Sequence, residues 1–293
     1  MLNPDKHHKR IEKYLSKLLG LPVELVQAVQ LTKSTREAPW KLMVDAGGML
    51  ETYVLQVDQK SMEYEYHALE AMGGVPIPTP KAYGLDLSGI EIGIPCFFSD
   101  FIAGELLLGP MMSGEAWAED LYLNTVSDLQ SVTKEDLGDF ARLVKIEPIV
   151  AFLDSAYAEL KRQSWSLADV VYNKLKKTMP ELPAVRFSNG DLWLENFIIK
   201  DQALAGVIDF ANACFSDPIY EFLLSFFVAP ELQGRGIEER YCLKMGYDPA
   251  VLPWYHGLEY FDTLRWVFNT GEGFVHHTAQ SLEAALRKWL EVE

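Results

Sequence analysis

The 293-residue chain carries 26 Lys and Arg against 42 Asp and Glu, a formal net charge of −16 with a sequence pI near 4.8. Such acidity excludes general binding to nucleic acid or to anionic membranes, because those partners are held by cationic side chains that displace counterions. Hydrophobic residues make up 49% and aromatics 12% of the chain, which is material for a packed core rather than a disordered polymer.

From Ile11 to Val29 the apolar positions Ile11, Leu15, Leu18, Leu19, Leu25 and Val26 recur at helical spacing around Gly20-Leu21-Pro22, which predicts two short amphipathic helices. Trp40–Val44 and Thr52–Val57 then read as a hairpin turned by Asp45-Ala46-Gly47-Gly48. Ser61 to Met72 reads as a helix with Met62, Tyr66, Leu69 and Met72 on one face, Ser61 as N-cap and Gly73-Gly74 as the stop. Pro76, Pro78 and Pro80 hold the next segment extended, and after a turn at Leu87–Glu91 a strand is expected over Gly93–Ile102. Helix, strand, strand, helix, strand is the order of a small antiparallel-sheet lobe.

Beyond about Glu115 helical periodicity dominates, notably in Leu137–Lys145, Pro148–Arg162, Ala168–Lys177, Tyr255–Asn269 and Thr278–Leu290. The exception is Phe187–Phe210, rich in aromatic and β-branched residues, where Phe197–Lys200, Asp201–Leu204 and Ala205–Ile208 read as strand, turn, strand. Residues 1–104 hold ten basic and thirteen acidic side chains, net −3, and residues 105–293 hold sixteen and twenty-nine, net −13. That asymmetry reads either as a solvated acidic surface or as a field that draws cationic ligands to the second part. Cys96, Cys214 and Cys242 form neither a disulfide framework nor a zinc spacing. With a charged, helical first segment and apolar runs too short for a bilayer, a soluble cytoplasmic protein is expected, a monomer or homodimer without membrane or nucleic-acid partners.

Chemistry concentrates in Ser188-Asn189-Gly190-Asp191-Leu192-Trp193-Leu194-Glu195-Asn196 and in the Asp209 that follows the second strand of the hairpin. Asp191 precedes Asn196 by five positions, the spacing between base and metal-ligating amide in the protein-kinase catalytic loop, and Asp209 stands where a second metal-binding carboxylate would be. A phosphoryl group in transfer is surrounded by negative oxygens, so a magnesium ion held by oxygen donors, and a carboxylate beside the attacking hydroxyl, are what the chemistry needs.

These residues resemble the signature of the aminoglycoside phosphotransferase and choline kinase superfamily, His-Gly-Asp followed by Asn five positions after the Asp. Asp209-Phe210 and the trailing Asp217-Pro218 are similar to that family's Ile-Asp-Trp or Ile-Asp-Phe metal strand and its Gly-Asp-Pro. The resemblance runs from about Leu31 to Phe226. Thr32 to Glu37, with Ser34, sits where the family has a Ser-rich turn over the nucleotide phosphates, and Glu65 matches the helix glutamate that pairs with a strand cation. Val75-Pro76-Ile77-Pro78 matches the Val-Pro-x-Pro after that helix, and Phe98–Phe101 falls at the interlobe hinge. The family implies an α+β, bilobal protein-kinase-like fold, with an antiparallel-sheet lobe at residues 1–103 that binds nucleotide. A mainly helical lobe at 104–293 would carry the catalytic loop and the acceptor pocket.

The implied roles are Asp191 as catalytic base, Asn196 and Asp209 as magnesium ligands, and Ser34, Gln56, Glu65, Ser99, Asp100 and Phe101 around the nucleotide. Three positions depart from the pattern. Gln56 stands where the family has a cation; a neutral amide hydrogen-bonds a phosphate without neutralising it. Lys33, Arg36 and Lys60 are nearby replacements, and without a charged partner Glu65 also reads as a solvated helix residue. Asn189 replaces His and would hold the loop, and Ser99-Asp100 replaces Met-Glu at a hinge where backbone contacts dominate. The function implied is transfer of phosphate from ATP or GTP, with Mg²⁺, to a hydroxyl of a small cationic or neutral molecule. The alternative is a non-catalytic nucleotide- or ligand-binding protein on the same scaffold.

Overall fold

A computed structural model describes residues 4–31, 39–57 and 60–291. Helix α1 (Pro4–Leu19) is followed directly by strand β1 (Val23–Gln30), where a second helix was expected. The reason lies in a β-bulge between Leu25 and Gln27: it breaks the two-residue alternation that Val23 and Leu25 begin, so the remaining apolar positions fall at a helix-like spacing. β2 (Trp40–Ala46) and β3 (Met49–Val57) form the expected hairpin, and α2 (Met62–Met72) follows, with Ser61 making no side-chain cap. β4 (Ala82–Asp86), not foreseen, and β5 (Cys96–Asp100) complete an antiparallel sheet of order β1-β2-β3-β5-β4. α1 buries Ile11, Tyr14 and Leu15 against the sheet face that presents Leu42, Val44, Leu55 and Phe98. The Tyr14 hydroxyl donates to the Gly84 carbonyl at 2.9 Å, and the buried Glu12 carboxylate accepts from the Leu25 amide at 2.9 Å.

The chain then runs through β6 (Glu105–Leu106), α3 (Leu108–Ser113), α4 (Ala116–Ser131), a short 3-10 turn at Gly138–Arg142 within the stretch expected as helix, β7 (Lys145–Glu147), α5 (Ile149–Arg162) and α6 (Ala168–Lys177). β8 (Arg186–Ser188), β9 (Phe197–Lys200), β10 (Ala203–Val207) and β11 (Cys214–Ser216) precede the last helices, α7 (Pro218–Val228), α8 (Ile237–Met245), α9 (Leu252–Thr270) and α10 (Ala279–Glu291). Asp201 and Gln202 both have positive φ, 51° and 61°, as the primed two-residue hairpin turns require.

Two compact units result. One comprises Met1–Leu106, Thr133–Leu143 and Glu195–Ala213; the other comprises Leu107–Val132, Val144–Leu194 and Cys214–Glu293. The first is the antiparallel-sheet unit and the second is mainly helical, with the small sheet β7-β11-β8. In the helical unit Tyr122, Phe222 and Tyr241 form a buried aromatic column, with ring centroids 5.4 and 3.8 Å apart. α9 is locked to its neighbours by Trp254 Nε1 donating to the Leu175 carbonyl at 2.8 Å and Trp289 Nε1 donating to the Pro253 carbonyl at 2.7 Å.

The β9–β10 hairpin belongs to the first unit because β9 pairs with β6, and the approach is close. A Cβ on Gly104 would lie 2.3 Å from the Ile199 carbonyl oxygen, so only glycine admits this packing. Gly104→Ala should lower the free energy of urea unfolding by ~1–3 kcal/mol, as overpacking does. Gly109→Ala, whose Cβ would meet nothing within 4 Å, is the control. Equal midpoints for the two variants would contradict the close β6–β9 contact.

Candidate active site

In the first unit the hairpin brings two oxygen donors to one end. Asn196 enters β9 from a 3-10 turn, and its carbonyl accepts the Ile208 amide at 2.9 Å; Asp209 is the next residue. Asp209 adopts φ 59°, a left-handed conformation that Asp tolerates better than most residues, and its Oδ1 accepts the Ala211 amide at 3.4 Å. The residue is exposed by its surface, yet protein atoms around the carboxyl displace part of its water. The lost hydration raises the carboxyl above its ordinary range, and the Ala211 amide opposes the rise.

α2 supplies the next group. Its inner face is Met62, Glu65, Ala68, Leu69 and Met72, which puts a carboxylate in an apolar row with 5% of its surface exposed. Among the described residues no cation pairs with Glu65. Burial therefore pushes its carboxyl up to about 8, and the Asp209 carboxylate adds to the rise. Tyr64 on the same helix donates its hydroxyl to the Ala213 carbonyl, tying α2 to the segment after Asp209.

Strand register sorts the remaining nucleotide candidates. Gln56 opposes Phe97 and Val54 opposes Ser99, so Gln56 and Ser99 share the sheet face away from α1, where Tyr66 of α2 meets Phe97 at 5.7 Å between ring centroids. Asp100 opposes Tyr53 on the other face, and its carboxylate accepts the Tyr83 hydroxyl at 2.8 Å and the Lys81 amide at 3.3 Å. The Asp100 and Phe101 amides are themselves engaged, donating to the Lys81 carbonyl at 3.0 Å and the Thr52 carbonyl at 3.4 Å. Ser34 lies outside the described residues, as do Lys33 and Arg36.

Asp191 belongs to the helical unit, in the loop after β8. Gly190 turns that loop with φ 79°. Asn189, fully buried, donates from Nδ2 to the Asp191 carbonyl at 2.9 Å and accepts the Asp191 amide at 3.3 Å, so it staples the backbone on both sides of the aspartate. The Ser188 hydroxyl accepts the Gly190 amide at 2.9 Å and donates to Glu221 at 3.0 Å. One residue further on, the Leu192 carbonyl accepts from the Tyr122 hydroxyl at 2.9 Å and from Ser225 at 2.7 Å. Tyr122 and Ser225 were not foreseen; their partner is a backbone atom, which leaves no side-chain pattern in the sequence. Asp217 caps α7, accepting the Ile219 and Tyr220 amides at 3.0 Å and the Tyr255 hydroxyl at 2.8 Å. Burial raises Asp217 to about 6 and Glu221 to about 7, against the hydrogen bonds each accepts.

The model of the phosphotransferase enzyme family matches residues 37–255. The chain belongs to that family. A comparison with curated proteins returned no match. Among solved structures, a protein of Ralstonia eutropha JMP134 described as an aminoglycoside phosphotransferase is 16% identical, with 97% of this chain and 95% of that one covered and a TM-score of 0.69. The wild-type aminoglycoside 2'-phosphotransferase-IIIa, in its GDP complex, is 14% identical over 99% of this chain and 98% of that one, with a TM-score of 0.67. A thermostable mutant of aminoglycoside phosphotransferase APH(4)-Ia, in a ternary complex with ADP and hygromycin B, is 14% identical over 96% of each chain, with a TM-score of 0.66. The shared architecture is the kinase-like α+β fold of this phosphotransferase family.

Within the family frame, Glu65, Glu221 and Asp217 hold protons more tightly in the folded chain than ordinary carboxyls do. The stability they contribute is complete below the ordinary carboxyl range and is lost as pH rises through about 6 to 8. Without ligand, the unfolding free energy should fall from about pH 5 to about pH 8.5, and Glu65→Gln, fixed in the neutral form, should remove the upper part of that fall. Urea titrations at both pH values check this; an unchanged pH slope in the variant would contradict a neutral, buried Glu65.

Proposed function

We propose that this member of the phosphotransferase enzyme family transfers the γ-phosphate of ATP or GTP to a hydroxyl of a small molecule. The observation that carries the reading is the Ile208–Asn196 hydrogen bond at 2.9 Å, which puts the Asn196 amide, five positions downstream of Asp191, and the Asp209 carboxylate at one end of the hairpin. An amide oxygen and a carboxylate oxygen are the hard donors that suit Mg²⁺, so Asn196 and Asp209 would hold it. Bound there, the ion would supply charge neutralisation for the phosphoryl oxygens.

Asp191 accepts the proton of the acceptor hydroxyl and orients it, from a backbone that Asn189 keeps rigid. The sheet face with Gln56, Ser99 and Phe101, in the lobe of residues 1–103, receives the nucleotide. The helical lobe of residues 104–293 receives the acceptor. ADP and GDP in the related structures support a nucleotide donor, and hygromycin B supports a small-molecule acceptor. The buried carboxyls Asp217 and Glu259, the half-buried Glu221, and a pocket of the helical unit lined by Glu147, Phe152, Tyr220 and Glu221, favour a cationic or neutral acceptor. The neutral Gln56 favours the second reading, a nucleotide-binding protein without turnover.

Labelled ATP or GTP, offered with a panel of amino-alcohols, aminoglycosides and sugars, should label at least one acceptor. Asp191→Ala should lower that rate by about 10²–10⁴-fold while the unfolding midpoint stays unchanged. Asn196→Ala and Asp209→Ala should do the same. Normal phosphotransfer by Asp191→Ala rejects the assignment. A thermal shift with Mg·ATP or Mg·GTP and no labelled product across the panel selects the non-catalytic reading.

A further inference from the structure

Three helices of the helical unit converge on a carboxyl that takes no step in the proposed reaction. His256, Glu259 and Tyr260 stand at i, i+3 and i+4 on α9 and share one face of that helix. Leu223 and Phe227 of α7, Gln233, and Glu238 in the first turn of α8 close the other sides of a cavity with room for about one water-sized occupant. Phe227 makes its wall rigid, stacking on His277 at 4.2 Å and meeting Tyr260 at 5.7 Å between ring centroids.

Glu259 and Glu238 line this cavity with only 5% and 6% of their surface exposed. They are not equivalent. Glu238 meets His256 Nε2 at 3.0 Å, whereas Glu259, among the described residues, has neither a hydrogen-bond partner nor a cation. Arg265 gives no relief, because its guanidinium is engaged by Asp262 at 2.6 Å and Glu159 at 3.4 Å. Burial, with Asp262 and Glu221 adding like charge, therefore holds the Glu259 carboxyl well above its ordinary range. Around it the cavity supplies oxygen. Gln233 donates from Nε2 to the Phe226 carbonyl at 3.0 Å, which leaves its Oε1 as an acceptor, and the Tyr260 phenol is raised by burial and by Glu238 and Glu259. Such hard oxygens suit a hard cation. Among the described residues no three His, Cys, Asp or Glu side chains gather into a metal site, and the one unshared carboxylate balances a single positive charge.

We propose that the cavity between α7, α8 and α9 binds a small monovalent inorganic cation, potassium, sodium or ammonium, held by Glu259 with oxygens of Glu238, Gln233 and Tyr260. The ion takes the place of the proton on Glu259 and ties the three helices together. A space of this size admits a bare ion and not an acceptor molecule.

Thermal unfolding without nucleotide, in potassium, sodium or ammonium chloride, in ethanolamine hydrochloride, and in tetramethylammonium chloride at matched ionic strength, tests this. At least one of the three small ions should raise the midpoint, saturably, by about 2–4 °C over tetramethylammonium. Glu259→Gln should lose that increment. Tyr260→Phe and Gln233→Met, which each remove one oxygen and keep the volume, should weaken the ion roughly three- to tenfold, and they stand in for Glu259→Gln if it does not fold. Equal midpoints in all five salts, or an increment kept in full by these variants, overturns the cation site. A rise with ethanolamine alone also overturns it and marks the cavity as part of an acceptor subsite.

Discussion

The hydrogen bond from the Ile208 amide to the Asn196 carbonyl, 2.9 Å long, closes the open end of the β9–β10 hairpin, and much of the first unit is arranged around it. The other end is set by the Asp201-Gln202 turn with both φ values positive, so strand length and turn together fix which residues meet. Asn196 and Asp209 meet at the closed end. β6 holds the hairpin through β9, and the Val207 amide donates to the Pro78 carbonyl at 2.9 Å, so the proline segment after α2 braces the strand that leads into Asp209. Glycine at 104 follows from this closeness, since a side chain there would displace β9.

A second constraint is electrostatic. The first unit keeps Glu65 under the sheet with no cation among the described residues to balance it, and the helical unit buries Asp217 and Glu259 and half-buries Glu221. Burying an ionised carboxylate costs several kcal/mol, so these groups shift toward the neutral form or gather donors, as Asp217 does with two amides and a tyrosine hydroxyl. The acidity counted in the sequence thus divides into a solvated surface share and a buried share, and the buried share is where a cationic ligand would gain most.

The fold was legible where periodicity was clean. α2, the β2–β3 and β9–β10 hairpins, α5, α6, α9 and α10 stand where apolar spacing and turn residues put them. β1 was read as a helix because its bulge shifts the alternation after Leu25. β4 was missed because Ala82-Tyr83-Gly84-Leu85-Asp86 carries a glycine with φ 58° and only one buried residue, itself an aspartate. For the candidate site, the order and spacing of Asp191, Asn196 and Asp209 were visible as a pattern, while the supports of the loop were not. Tyr122 and Ser225 act through the Leu192 carbonyl, 70 and 33 residues away in sequence. Face assignments also needed the structure: Gln56 and Ser99 share a face and Asp100 does not, and only cross-strand register decides that.

The central claim is that Asn196 and Asp209 jointly hold the metal ion of a bound nucleotide. A crystal structure with Mg²⁺ and a non-hydrolysable triphosphate measures it directly. The account predicts an ion held by the side-chain oxygens of both Asn196 and Asp209 beside the phosphates. A triphosphate bound with its magnesium on other residues, or with neither Asn196 nor Asp209 in its coordination shell, would contradict it.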